Sequence, residues 1–220
     1  YQTFKEAVVF YHDLVKIETR LKNKIKAFFR QNGIQCKGET IYSTSKQERW
    51  LNLLEQSRWQ VTLLLEQVAL VEKQLEEIKQ QLQKMSHQYP QIARFMKIKG
   101  VKLINACTIS ALIDTPFRFQ SKRKLWTYCG FGLTDKGSGG KKIPKHLNKS
   151  CNRMLKATIK HAVESAIIAK DNRFKAQYES LIYQKGILPH RAKLTVARSM
   201  IATIWSIWKT QTDYVEICKN

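Results

Sequence analysis

The chain is short of the residues that interrupt regular structure. It carries four prolines and nine glycines in 220 residues, which argues against many short strands joined by tight turns and for long helices. Its five cysteines, Cys36, Cys107, Cys129, Cys151 and Cys218, are odd in number, widely spaced and contain no CxxC pair. That pattern excludes a disulfide framework and a zinc ribbon and fits a reducing, cytosolic compartment. No apolar run reaches transmembrane length and no signal peptide is present, so no membrane-spanning role is expected. Negative charge is the scarcest feature. Only 17 Asp and Glu stand against 39 Lys and Arg, giving a net charge of +22 and a pI near 9.9. So large an excess opposes compaction unless a polyanion absorbs it. Nucleic acid is the first candidate and an anionic membrane surface the second.

What is present is a core-forming share of apolar residues, 43%, and a concentrated positive field. Residues 94–160 hold 16 Lys and Arg and only two acids, Asp114 and Asp135, so 67 residues carry +14 of the total +22. The flanks on either side are much closer to neutral.

Apolar spacing predicts helices along the whole chain. In residues 3–31, Phe4, Ala7, Val8, Tyr11, Leu14, Val15, Leu21, Ile25 and Phe28 recur at intervals of three and four, and Gly33 is a plausible stop. A Ser/Thr-rich stretch at 33–46 then leads into a second, long helix over about 46–87. Val61, Val68, Leu75 and Leu82 form one heptad row, and Leu64, Val71, Ile78 and Met85 form the row three residues later. A narrow seam at a seven-residue period predicts a coiled coil, either with the first helix or between chains. Tyr89-Pro90 breaks this helix. Residues 91–113 read as helix, glycine turn, helix. "SKRKLWTYCGF" reads as a short basic helix, and residues 149–169, 173–184 and 190–209 as three more. The expected fold is all-α: a helical hairpin or coiled coil over residues 1–88, then a basic multi-helix domain over residues 89–220 with a helix-hairpin-helix-like turn.

Three stretches carry candidate chemistry. "IKGVKLINA" (98–106) has the shape of a turn that points backbone N–H groups at a phosphate without reading sequence. Gly100 with Lys97, Lys99 and Lys102 makes phosphate contact the favoured role over a plain helix corner. "SKRKLW" sets Lys122, Arg123 and Lys124 beside Trp126, a combination suited to backbone contact plus base stacking. In residues 130–153, "GFGLTDKGSGGKKIPKHLNKSCNR", Ser138 stands among Gly137, Gly139 and Gly140 with Lys141, Lys142 and Lys145 close behind. On composition this is a hinge. Chemically it could also be a nucleophile, with Lys141, Lys142, Lys145 and Arg153 placed to stabilise charge on a transferring phosphoryl group. The five histidines have no ligand spacing, and the basic segment has no acid cluster to hold a metal pair.

Taken in order, "RFMKIKGVKLINACTISALIDTPFRFQSKRKLWTYCGFGLTDKGSGGKK" and "LNKSCNRMLK" resemble the C-terminal domain of the insertion sequence 110 transposase family, which includes the Piv-type invertases and the bridge-RNA-guided recombinases. Gly100 and Ala106 match the family's turn. Arg118, Phe119, Leu125, Tyr128 and Gly130 match its next element, Ser138 and Gly139 its serine motif, and Lys149, Asn152, Arg153 and Leu155 its last. Residues 3–88 resemble the family's coiled-coil linker. Departures are Lys99 for the turn's proline, Lys102 for its second glycine, Asn148 for a Ser or Thr, and Cys151 for a glycine.

The resemblance implies a DNA transposase or site-specific recombinase in which Ser138 attacks DNA and forms a phosphoserine link. The expected nucleic-acid contacts are Lys97, Lys99, Gly100, Lys102, Lys122, Arg123, Lys124, Gly139, Lys141, Lys142, Lys145, Lys149, Asn152 and Arg153. It also implies a structured guide RNA, a homo-oligomer formed through the coiled coil, and a bacterial, nucleoid-associated location. Its divalent metal, magnesium, belongs to a separate RuvC-like acidic domain that this sequence does not contain, so no metal site or cofactor is expected in this chain. Alone, the chain is expected to bind nucleic acid without recombining it. The alternative is a non-catalytic nucleic-acid-binding module or a coiled-coil scaffold.

Overall fold

A computed structural model describes residues 1–134, apart from 37, 39 and 55, and residues 146–216. The chain divides into two compact units, Tyr1–Leu82 and Gln83–Asn220.

The first unit is a helical hairpin. Helix α1 (Gln2–Gln31) buries Phe4, Val8, Leu14, Ile25 and Phe29. Helix α3 (Arg58–Ser86) runs antiparallel to it. Near its start α1 places Tyr11 in the field of Lys79 and Glu76, while further along Lys22 reaches Glu72 at 2.9 Å. The heptad seam of α3 is closed within the chain. Val61, Leu64, Val68, Val71 and Leu82 are buried, and Leu75 and Ile78 are half-buried. Ile25 and Phe29 lie in one cluster with Val61, Leu64, Leu65 and Val68.

The second helix is not continuous over 46–87. A separate helix α2 (Thr44–Leu51) stops at Asn52, and α3 begins only at Arg58. In a straight helix the ten residues from Leu51 to Val61 would rise about 15 Å. The corner instead gathers Leu51, Leu54 and Val61 into the cluster around Phe29 and Ile41 and sets Trp50 edge-on to the Phe29 ring at 5.8 Å. Arg58 ties the corner by reaching back to Glu48 and Asn52.

The second unit begins with α4 (Pro90–Met96) and α5 (Leu103–Ile113), packed as a hairpin, and a short 3-10 turn at Pro116–Arg118. Helix α6 (Lys122–Tyr128) leads to strands β1 (Leu133–Thr134) and β2 (His146–Leu147). Helix α7 (Arg153–Ile168), α8 (Arg173–Glu179) with a π-helical continuation at Ser180–Gln184, and α9 (Pro189–Thr210) complete it. Helix α5 is apolar on every side and buries every residue from Ala106 to Ile113, so it sits at the centre. Its buried hydroxyls are satisfied. Thr108 donates to the Ile104 carbonyl at 2.7 Å, and Ser110 accepts from Gln91 at 3.0 Å. Helix α7 packs on both α5 and α9, and α9 contributes Val196, Met200, Ile201 and Ile204 to the core. The all-α expectation holds, with one two-stranded antiparallel ladder as the exception among the described residues. No helix there is long and apolar enough to cross a membrane.

Gly100 seats the α4–α5 turn on α7. Its φ is +90°, and a Cβ would overlap the Ala162 carbonyl oxygen and stand 2.8 Å from the Ala166 Cβ. Only glycine meets both demands. Gly100→Ala should therefore cost about 3 kcal/mol in chemical denaturation, through left-handed backbone strain and overpacking combined.

The four cysteines among the described residues are free thiols. Burial pushes the Cys107 thiol up to about 12 and raises that of Cys129. Alkylation at about pH 8 should label the partly exposed Cys36 and Cys151 and spare Cys107 and Cys129 until the chain unfolds, as peptide mapping would report.

Candidate nucleic-acid interface

The elements that flank the serine motif are fixed from three sides. Strand β1 pairs antiparallel with β2, Leu133 opposite Leu147 and Thr134 opposite His146, and the Asn148 amide extends the pairing to the Gly132 carbonyl at 3.0 Å. This ladder brackets residues 135–145. Ser138, Gly139, Lys141, Lys142 and Lys145 lie outside the described residues. Below the ladder the chain is held by α6. The Phe131 and Gly132 amides donate to the Trp126 carbonyl at 2.8 and 3.0 Å, and the Asn152 amide donates to the Tyr128 carbonyl at 2.9 Å. Gly132 allows this close return, because a Cβ there would overlap the Thr127 hydroxyl. Helix α9 supplies the third side. Arg198 Nε donates to the Phe131 carbonyl at 2.8 Å, and Trp126 Nε1 donates to the Arg198 carbonyl at 3.0 Å. Tyr128 adds a bond from its hydroxyl to the Leu112 carbonyl at 3.1 Å.

Cys151, which stands where a glycine is usual in the resembling pattern, packs on this base. A Cβ on Gly130, whose φ is +75°, would lie 2.6 Å from the Cys151 Sγ. The thiol thus occupies the space that the missing Gly130 side chain leaves.

Helix α6 opens with Lys122, Arg123 and Lys124, all exposed, with no acid in its first turn. Cations at the positive end of a helix dipole raise the local potential rather than offset it. Ser121 caps this turn, its Oγ accepting from the Lys124 amide at 3.4 Å. Lys149 and Arg153 are exposed on the β2 side of the same base. Lys99 and Lys102 are exposed on the α4–α5 turn. Lys97 lies there too, but it is paired with Asp213 at 2.6 Å, and Arg94 stands 3.9 Å from the same carboxylate. The hydrogen bond from Lys97 holds the Asp213 carboxyl below its ordinary range.

Two expected contacts also carry structural duties. The Cβ face of Gly100 is closed by α7. Asn152 is the N-cap of α7, its Oδ1 accepting from the Leu155 amide at 2.9 Å while its Nδ2 reaches the Tyr128 hydroxyl at 3.3 Å. Asn148 closes a local surface turn, exchanging two hydrogen bonds with the Ser150 backbone at 2.7 and 3.0 Å. That turn delays the start of α7 to Arg153, four residues later than the sequence pattern suggests.

Arg173, Arg198 and Trp205 escape the sequence reading. They join Lys122 and Trp126 along a groove of about 530 Å³ on α9. The signal that could have found Arg198 and Trp205 is the absence of any Asp or Glu in residues 189–210.

Capping and phosphate contact make different predictions. Asn152→Ala should lower stability by about 1 kcal/mol through the lost cap and leave the salt dependence of DNA binding unchanged. Lys124→Gln should do the reverse, keeping stability and reducing the slope of log affinity against log salt by about 0.7–0.9. Denaturant melts and titrations at several salt concentrations separate the two.

No curated protein matches the chain. Residues 92–179, from α4 to the end of α8, match the model of the Transposase IS116/IS110/IS902 family. That segment, 88 of the 220 residues, is similar to the family.

Proposed function

We propose that the chain is the serine-bearing half of a transposase, in which Ser138 is the nucleophile for DNA strand cleavage and exchange. The observation that carries this reading is the family match across residues 92–179, a span that includes the ladder bracketing residues 135–145. The ladder's supports come from α6, α7 and α9, so the residues on either side of the serine motif are tied to the second unit. Exposed Lys122, Arg123, Lys124, Lys149 and Arg153 surround that base, which favours a polyanionic backbone over a neutral substrate.

In the proposed step the Ser138 Oγ bonds to a phosphodiester phosphorus. One sugar oxygen leaves and takes a proton, and the serine hydroxyl gives one up. The product is a phosphodiester between serine and one DNA end, with a free hydroxyl on the other. Lys141, Lys142 and Arg153 offset the negative charge that builds on the phosphoryl oxygens. The bond energy is retained in the link, so a second DNA hydroxyl can later displace the serine and complete exchange.

The family resemblance also implies a divalent ion held by a separate acidic domain. Among the described residues no group of three or more His, Cys, Asp and Glu is placed to hold a metal. Those residues therefore do not fit the ion, and no step above passes through it. A structured RNA guide remains part of the proposal, since the basic surface suits backbone contact without sequence readout. A homo-oligomer does too. With the α3 seam filled inside the chain, Phe10 and Ile17 on α1 and Leu63 and Leu70 on α3 stay exposed at seven-residue spacing, a second stripe open to another helix.

The test supplies the full-length encoded protein with divalent metal, candidate RNA and labelled DNA, and looks for a covalent adduct on denaturing gels. The parent forms an adduct and Ser138→Ala loses it. An adduct formed equally well by Ser138→Ala overturns the nucleophile. Salt-insensitive DNA binding would instead favour a coiled-coil scaffold.

A further inference from the structure

The groove between α6 and α9 has a composition unlike the rest of the basic surface. Among the described residues its cations are Lys122, Arg173 and Arg198, and no acid lines it. Two tryptophans, Trp126 and Trp205, form its walls, and the floor is the outward stripe of α9, where Ser199, Ala202 and Ser206 are small enough to leave the space open. Both indoles are oriented by their own N–H groups. Trp126 Nε1 donates to the Arg198 carbonyl at 3.0 Å, and Trp205 Nε1 donates to the Pro116 carbonyl at 2.6 Å. With the polar edges occupied, the rings offer the groove carbon surface. An ammonium lies over each ring, Lys122 at 5.9 Å from Trp126 and Lys209 at 5.2 Å from Trp205. The Arg198 guanidinium is likewise held in place by its bond to the Phe131 carbonyl.

The geometry points to this groove as a binding site for an unpaired nucleic-acid strand. Phosphates meet Lys122, Arg173 and Arg198, and an unstacked base lies against Trp126 or Trp205. A base offers its π-face to a protein only when it has left its own stack, which excludes an intact duplex from the aromatic contacts. The positive groove with oriented rings is the combination that single-strand binding requires, and it reads no sequence. An acidic peptide would satisfy the cations and leave the indole faces without a planar partner. This inference rests on the reading of the chain as a nucleic-acid-binding protein, but not on Ser138.

The experiment uses the whole chain and three probes of equal length: oligothymidine, oligouridine and a DNA duplex. Binding is followed by fluorescence anisotropy, and 5-bromouracil versions of the single strands are photocrosslinked and mapped. Ser206 is exposed on the groove floor, so Ser206→Glu adds a negative charge there without touching the core. Ser206→Glu and Lys122→Gln should each weaken single-strand binding about tenfold, and crosslinks should map to Trp126 or Trp205. Tighter binding of oligothymidine or of oligouridine identifies the strand as DNA or RNA, and either outcome supports the site. Unchanged affinity of Ser206→Glu, crosslinks confined to other segments, or displacement of the strand by polyglutamate at equal charge overturns it. Single-strand binding that remains sensitive to Ser206→Glu while no Ser138 adduct forms would sink the strand-transfer reading and leave the groove. A Ser138 adduct with unchanged Ser206→Glu binding would sink the groove alone.

Discussion

Two hydrogen bonds of opposite sense hold the base of the β1–β2 ladder to α9. The indole of Trp126 donates to the Arg198 carbonyl, and the Arg198 side chain donates to the carbonyl of fully buried Phe131. Each satisfies an acceptor that would be costly to leave bare. The pair fixes where α6 ends and where the chain turns into β1. It also decides where two of the groove's cations, Lys122 and Arg198, can stand. Burial lowers the Arg198 pKa from its ordinary value, yet an arginine this far from its titration range keeps its charge. The residue that anchors the fold here is thus also a source of positive field on the surface.

Electrostatics give the second unit its character. With so few acids in residues 94–160, the structure places its neutralising groups selectively. Asp213 engages Lys97 and Arg94, and Glu216 accepts from the Arg173 backbone at 2.7 Å. Both acids belong to the segment that follows α9. The cations of α6 have no comparable acid in their first turn. Among the described residues, a polyanion would therefore meet the least compensated charge at α6 and the ladder base, and a partly compensated one at the α4–α5 turn.

Much of this was readable from the sequence because helix periodicity is a local property. The α1 pattern, the glycine turn before α5, and the apolar faces of α7 and α9 all declare themselves through spacing. The break between α2 and α3 does not. Leu51 and Leu54 fit a continuous helical face, and only the tertiary cluster around Phe29 and Ile41 favours a corner. Asn152 was legible as part of a motif but not as a cap, since an asparagine before a helix and an asparagine facing a phosphate look alike in one dimension. The groove was hidden for a related reason. Lys122 and Trp126 lie some 70 residues before Arg198 and Trp205, and only the packing of α6 on α9 brings them together.

The contact of Gly100 with α7 ties distant positions into one unit of inheritance. The turn comes so close because two side chains are minimal at once: none on Gly100 and a single methyl on Ala166, beside the bare Ala162 carbonyl oxygen. Growth at Ala166 would push the turn away, and no change at the turn could make room, since it has nothing left to remove. Gly100 and Ala166 are therefore both held small, and neither can compensate for growth of the other. A glycine turn followed about 65 residues later by a small residue on a helix is the trace this should leave in other chains built the same way.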